Sequence, residues 1–247
     1  MWIFCCGMYR SASTLQFQIT ARLVQETGMG QQVGWIDARQ FNEVRLLHAN
    51  SQKLKVVKVH LCTDAVISEF HQAIAKGIYI FRDIRDACAS MMKQQIKRFD
   101  DIWEEGFIEV CMDSYKVWTA LPKVLVSEYE EVTQNLSQEV KRIAEHLELN
   151  LEPDRYQEIA SDYTISFQKQ RVERFREQLL KVPFTDGDRN IVDYYDEESL
   201  LHMNHVNSGK VGRWQDELLT KEAAQIEAKV HTWCKKNGYS SSTFLRV

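Results

Sequence analysis

Short apolar runs alternate with longer stretches of helical periodicity along most of the chain. Trp2-Ile3-Phe4-Cys5-Cys6, the β-branched run Leu54 to His60, Ile78-Tyr79-Ile80-Phe81 and Lys123-Val124-Leu125-Val126-Ser127 read as strands. Helical patterns occupy about 13–28, 64–76, 84–98, 102–121, 134–147, 154–174 and 220–236. Gly28 suits the close of the first helix, Asp64 the N-cap of the second, Gly77 its end and Gly238 the end of the last. Near-continuous apolar strands separated by helices predict an α/β fold, a central parallel sheet flanked by helices on both faces. No linker, internal repeat or low-complexity tract divides the chain, so one domain over 1–247 is expected. The stretch 175–205 is the least regular, rich in Asp, Asn, Tyr and Arg. Together with the loop after it, it reads as a mobile flap over about 175–210. The tail Ser240-Ser241-Ser242 reads as frayed or loosely docked.

Composition narrows the function classes. The chain has 247 residues, 44% hydrophobic and 27% charged, enough for one sizeable core. A net charge of −4 lacks the overall basic field of a nucleic-acid binder, so any cations that hold an anion must be placed locally. No apolar run approaches the ~20 residues needed to span a bilayer, and the first apolar stretch has no basic flank. A cytoplasmic protein with no membrane partner is therefore expected. The six cysteines form no C-x-x-C pair and no zinc-like spacing, which predicts reduced buried thiols and no metal site.

Candidate chemistry begins directly after the first strand. Gly7-Met8-Tyr9-Arg10-Ser11-Ala12-Ser13-Thr14 is a turn of small and hydroxyl residues that opens a helix. Such a turn offers backbone N–H groups and a partial positive charge to a phosphate. The spacing is that of a P-loop, but Ser13 stands where the common form has its Lys, and the cation comes earlier as Arg10. The loop suits a phosphorylated nucleotide without γ-phosphate chemistry. A second constellation follows the strand at 78–81: Arg82, then Arg85, Asp86 and Ser90. Eight positions along a helix return to nearly the same face, so Arg82 and Ser90 can grip one phosphate; the plainer reading is an Arg–Asp pairing at a helix start. His60 ends the strand 54–60, where a general base belongs in an open α/β sheet. Lys58 lies on the same strand face, aimed at the same edge or simply solvated. A third element, His205 to Trp214, sets Gly209 and Gly212 around Lys210 and beside Arg213, which suits either a loop closing over an anion or a surface turn.

In this order and spacing the three elements resemble the sulfotransferase family that uses 3′-phosphoadenosine 5′-phosphosulfate (PAPS). Arg10-Ser11-Ala12-Ser13-Thr14 matches the family's 5′-phosphosulfate loop, with Ala12 in place of the usual Gly. Arg82, Arg85, Asp86 and Ser90 match its 3′-phosphate segment, and Lys58 and His60 its K-x-H strand end. Tyr129-Glu130-Glu131 is similar to the segment whose Tyr lies near the adenine, and Gly209, Gly212 and Trp214 match G-x-x-G-x-W. Asn207 and Ser208 replace an Arg-Lys pair, a gap that Lys210 or Arg213 could fill. The resemblance covers nearly the whole chain and implies a P-loop NTPase-like domain. It implies His60 as catalytic base and Lys58 as the cation on the transferring sulfonate; Glu43 or His205 is the next candidate base if a chain without His60 keeps its turnover. It implies PAPS as donor, adenosine 3′,5′-bisphosphate as product, no metal, and transfer to a hydroxyl or amine of a small-molecule acceptor. Oligomeric state is not legible. The acceptor pocket is expected among aromatics of about 30–48, 92–115 and 170–205, interspersed with acids such as Asp100 and Glu104. The alternatives are a P-loop kinase of a small metabolite and a non-catalytic nucleotide-binding protein.

Overall fold

The alternation of runs takes shape in a computed structural model that describes residues 1–179, 195–202, 206 and 209–246. Its sheet has five strands: β1 (Trp2–Gly7), β2 (Gly30–Trp35), β3 (Leu54–Lys58), β4 (Ala75–Phe81) and β5 (Val124–Glu128). Their order is β2-β3-β1-β4-β5, and every neighbouring pair is parallel. Composition decides which strands lie inside. β1 and β4 are buried at every position, and a strand covered on both faces carries no polar side. β2 is the strand the apolar pattern missed. Gly-Gln-Gln-Val-Gly-Trp neither alternates nor forms an apolar run; it pairs only with β3, and its register slips between Gln32 and Gly34.

The twelve helices among the described residues are, in chain order, α1 (Ser13–Glu26), α2 (Phe41–Leu47), α3 (Asp64–His71), α4 (Ile84–Gln95), α5 (Phe99–Glu104), α6 (Phe107–Thr119), α7 (Tyr129–Gln134), α8 (Leu136–His146), α9 (Pro153–Ser161), α10 (Ile165–Leu179), α11 (Trp214–Glu217) and α12 (Thr220–Asn237). Alternate residues of each strand enter opposite cores. Ile3, Cys5, Val56 and Ile78 pack with Phe17 and Leu23 of α1, Ile143 of α8 and Ile159 of α9. Trp2, Phe4, Val57 and Tyr79 pack with Ala87 of α4, Trp118 of α6 and Ile226 of α12. Helices therefore cover both faces, as expected. No helix among the described residues is long and apolar enough to cross a membrane.

Several boundaries differ from the periodic pattern for local reasons. The helix expected over 64–76 stops at His71, because Ala75 and Lys76 already pair with β1, and Thr63 rather than Asp64 takes its N-cap. The helix expected over 102–121 divides into α5 and α6 at Gly106, whose φ is 71°. The pattern at 154–174 divides into α9 and α10. β3 ends at Lys58, so His60 lies in the bend beyond it rather than on the strand. The tail is not frayed. Residues 241–243 form a 3₁₀ turn, Phe244 is fully buried, and its carbonyl accepts the N–H of Ile84 at 2.9 Å. Of the expected flap, residues 180–194, 203–205 and 207–208 lie outside the described residues, and with them His205, Asn207 and Ser208. Residues 195–202 are described. The side chains of Gln18 and Gln32 each donate to this segment, to the carbonyls of Ser199 and Glu198, at 2.6 Å.

Candidate active site

The loops that leave β1 and β4 meet at the carboxyl edge of the sheet, because those strands are hydrogen-bonded neighbours from Trp2↔Ala75 to Gly7↔Ile80. The turn after β1 is built by its small residues. Ser11 is fully buried, and its hydroxyl contacts the carbonyls of Met8 at 2.6 Å and Ile80 at 2.9 Å, pinning the turn to β4. Arg10 and Ala12 both adopt left-handed backbone, with φ of 66° and 71°. Ala12 therefore holds the conformation a glycine favours, so the turn keeps its shape despite the missing Gly. α1 starts at Ser13 with no acid in its first turn, leaving its positive end free for an anion.

A cavity of about 450 Å³ opens beside this turn. Arg10, Ala12, Ser13, Thr14, Arg82, Ser90, Tyr129, Gly209, Lys210 and Arg213 all lie on its wall. Arg10 Nε donates to Ser90 Oγ at 3.1 Å, which joins the two constellations directly. Arg82 donates to the Arg10 carbonyl at 3.2 Å and to Asp86 Oδ2 at 2.9 Å, and its guanidinium lies 4.1 Å from the centre of the Tyr129 ring. Its buried Nε has no partner among the described residues. Burial, reinforced by the Arg82 and Arg213 cations, pushes Arg10 down to about 10. A buried cluster of like charges carrying an unsatisfied donor is costly alone and is relieved by an anion.

The loop at 209–214 closes one side of this wall. Asp86 accepts the N–H groups of Gly212 and Trp214, each at 2.9 Å, so one carboxylate both orients Arg82 and anchors this loop. Arg213 is paired with Glu217 and Lys210 with Asp216. Gly209 has a φ of 72° and sits so close to Ile165 that a Cβ would come within 2.2 Å of its Cδ1. Arg85 turns away from the cavity. It is bound by Asp83 and Glu227 and stacks 3.9 Å from the Trp214 ring centre. Both Arg–Asp pairings of the plainer reading thus exist, and Arg82 nevertheless faces the cavity.

Lys58 and His60 are not on that wall. Lys58 Nζ reaches it through Thr14, donating to Oγ1 at 2.5 Å. Burial, and then the Arg10 charge, push Lys58 down to about 8. The His60 ring stacks on Tyr9 with centroids 4.6 Å apart, and its carbonyl accepts Trp118 Nε1–H at 3.3 Å. Burial, then the charges of Lys58 and His202, push His60 down to about 3, so the ring is neutral at neutral pH and, with no anion beside it, a weak base. Its Nδ1 is buried and unpartnered among the described residues.

Sequence reasoning missed Tyr163, in the turn before α10, and Ile165 and Gln168 of its first turn, all of which line the cavity. No local pattern marks them. Asp86 was legible only as part of a motif, although an Arg–Asp spacing of i to i+4 on a helix start pointed to it. Among the described residues no group of His, Cys, Asp or Glu is placed to hold a metal ion.

Comparison with known proteins bears on this geometry. A family model described as a sulfotransferase domain matches residues 8–238. Among solved structures, retinol dehydratase in complex with androsterone and the inactive cofactor PAP is similar at 17% identity, with a TM-score of 0.62 over 100% of this chain and 82% of that one. Retinol dehydratase in a complex with retinol and PAP is similar at 17% identity, with a TM-score of 0.63 over the same shares of both chains. Mouse sulfotransferase SULT7A1 complexed with PAP is similar at 16% identity, with a TM-score of 0.63 over 94% of this chain and 83% of that one. No curated protein matches significantly.

Proposed function

Because this chain belongs to the sulfotransferase family, we propose that it moves the sulfonate of PAPS to a hydroxyl or amine of a small-molecule acceptor. The observation that carries the donor assignment is the meeting of Arg10, Ser90, Arg82, Tyr129 and Arg213 on one cavity wall, with a donor of Arg82 unpartnered among the described residues. Two anionic ends fit there. The turn 10–14 with Lys58 behind it suits the 5′ side, and Arg82, Ser90 and the loop 209–213 suit a 3′-phosphate. Tyr129, stacked on Arg82, offers the remaining half of its ring environment to a base. PAP in the similar structures supports the same choice.

The chemistry of the transfer falls to few groups. His60, whose buried Nδ1 has no partner among the described residues, takes the proton of the attacking acceptor, and the anionic donor beside it raises its basicity for that step. Lys58, Arg10 and the first N–H groups of α1 meet the charge that develops on the departing phosphate. Positioning of the two substrates supplies much of the remaining rate. The acceptor is read as a small molecule because the similar structures hold androsterone and retinol, and because aromatic side chains such as Tyr9 and Phe107 gather near His60.

Calorimetric titration tests the donor assignment. Adenosine 3′,5′-bisphosphate binds more tightly than ADP by roughly 1.5–3 kcal/mol, the range for hydrogen bonds to a charged group. Equal affinity for the two would reject it. Turnover with ATP and Mg²⁺ but not with PAPS would transfer the assignment to a kinase.

A further inference from the structure

The carboxy-terminal residues 240–246 are tied to the backs of the same residues that face the cavity. Phe244 is fully buried between Tyr115 and Trp233, with ring centroids at 5.1 and 5.7 Å. Its carbonyl accepts the N–H of Ile84, the first residue of α4. Two residues of chain later, Arg246 N–H donates to Asp83 Oδ2 at 2.8 Å, and the Arg246 carbonyl accepts from Arg85 at 2.5 Å. The Arg246 guanidinium pairs with Glu128, the last residue of β5 and the neighbour of Tyr129. None of residues 240–246 touches the cavity.

From these contacts two arms run to Arg82. In one, the backbone N–H and carbonyl of Arg246 fix Asp83 and Arg85, Arg85 stacks on Trp214, and Trp214 and Gly212 hang from Asp86, which holds Arg82. In the other, Arg246 fixes Glu128 at the end of β5, and the adjoining Tyr129 ring lies over Arg82. A buried guanidinium gripped from two sides keeps its fork aimed, and an aimed fork loses less freedom on binding a phosphate. Resting on the donor reading above, we infer that residues 240–246 are a strap that positions the 3′-phosphate grip, with Arg246 as its positioning residue.

The test compares adenosine 3′,5′-bisphosphate with adenosine 5′-phosphate, which lacks the 3′ group. Titrations use the full chain, Arg246→Ala, Arg246→Lys and a chain ending at Tyr239, with thermal denaturation confirming that each is folded. Arg246→Ala, which removes the Glu128 arm and keeps the backbone contacts with Asp83 and Arg85, is expected to weaken the bisphosphate about tenfold, roughly one hydrogen bond's worth of order. The shortened chain, which removes both arms, is expected to weaken it at least as much. The affinity of Arg246→Ala for adenosine 5′-phosphate stays within about twofold, because that nucleotide has no 3′ group for Arg82 to hold. Arg246→Lys recovers most of the loss by keeping the pairing with Glu128. Equal weakening of both nucleotides, or no change in a folded Arg246→Ala chain, overturns the strap. Should the shortened chain not fold, Arg246→Ala decides. A wild-type chain that does not distinguish the two nucleotides overturns the donor reading itself, and the strap with it. A wild-type chain that distinguishes them as well as Arg246→Ala does overturns the strap alone.

Discussion

His60 and Lys58 are the residues whose surroundings most alter their ordinary chemistry. Replacing His60 by Ala is expected to lower turnover by roughly 10²–10⁴-fold, the usual contribution of a general base. Bisphosphate affinity should stay close to wild type, because His60 is not on the cavity wall. Near-normal turnover in a steady-state assay would move the proton-accepting role to another group. Lys58 makes a different prediction. Burial and Arg10 hold it at about 8, and a bound anion favours its charged form and raises that value. Bisphosphate affinity should therefore be flat from about pH 7, where the ligand's phosphates are fully ionised, to pH 8, and fall as the pH rises through it. Lys58→Met should remove this slope, which calorimetry at several pH values can measure. On the cavity wall itself, Arg82→Ala should weaken the bisphosphate by roughly 1.5–3 kcal/mol in the same titration. These residues were legible because each ends or follows an apolar run, and chain position alone sets it at the carboxyl edge. What could not be read was the pairing among them. Arg10 on Ser90 and Asp86 on the 212–214 loop join segments far apart in sequence, and local spacing carries no record of that.

At the scale of elements, strands with continuous apolar residues announced themselves and β2 did not. It hydrogen-bonds to one neighbouring strand among the described residues and stays half-exposed along its length, so its sequence can be glycine- and glutamine-rich. Helix breaks were lost for a related reason. Gly106 and the turn between α9 and α10 interrupt patterns whose apolar faces continue on either side. The tail was read as loose from its serines, while Phe244, only just beyond them, supplied the anchor. Two variants probe how the elements are joined. Glu139 of α8, almost fully buried, accepts from Gln16 of α1 at 2.9 Å, from Ser127 of β5 at 2.5 Å and from Arg142 at 2.7 Å. Glu139→Ala strands three donors and should cost about 2–4 kcal/mol in chemical denaturation. Ala12→Gly should act in the opposite sense. It relieves a left-handed residue worth roughly 1–2 kcal/mol, offset by glycine's added freedom when unfolded, roughly 0.5–1 kcal/mol. A net gain of a few tenths of a kcal/mol or more is expected in the same measurement.

Across the whole molecule, both loops proposed to hold the donor's anionic ends spring from the adjacent strands β1 and β4, which would couple ligand binding to the middle of the sheet. Adenosine 3′,5′-bisphosphate at about a hundredfold over its Kd should add about 2.7 kcal/mol to stability by mass action. ADP at the same concentration should add less, and differential scanning calorimetry distinguishes the two. Acid should act in the opposite direction. His60 is held at about 3 in the folded chain and titrates near 6.5 when unfolded, so the unfolded state binds more protons between those values. Stability contributed by this group is whole above pH 6.5 and is lost as the pH falls towards 3.

The slipped register on β2 has a consequence for crowded solutions. An outermost strand with an even row of free amides is a template on which another chain can extend, seeding aggregates. Here the spacing breaks between Gln32 and Gly34, and Gly34 turns to a φ of 99°, so an incoming segment finds no continuous ladder to match. Straightening this strand with β-branched residues would trade that protection for stickiness, most visibly while the chain is still folding.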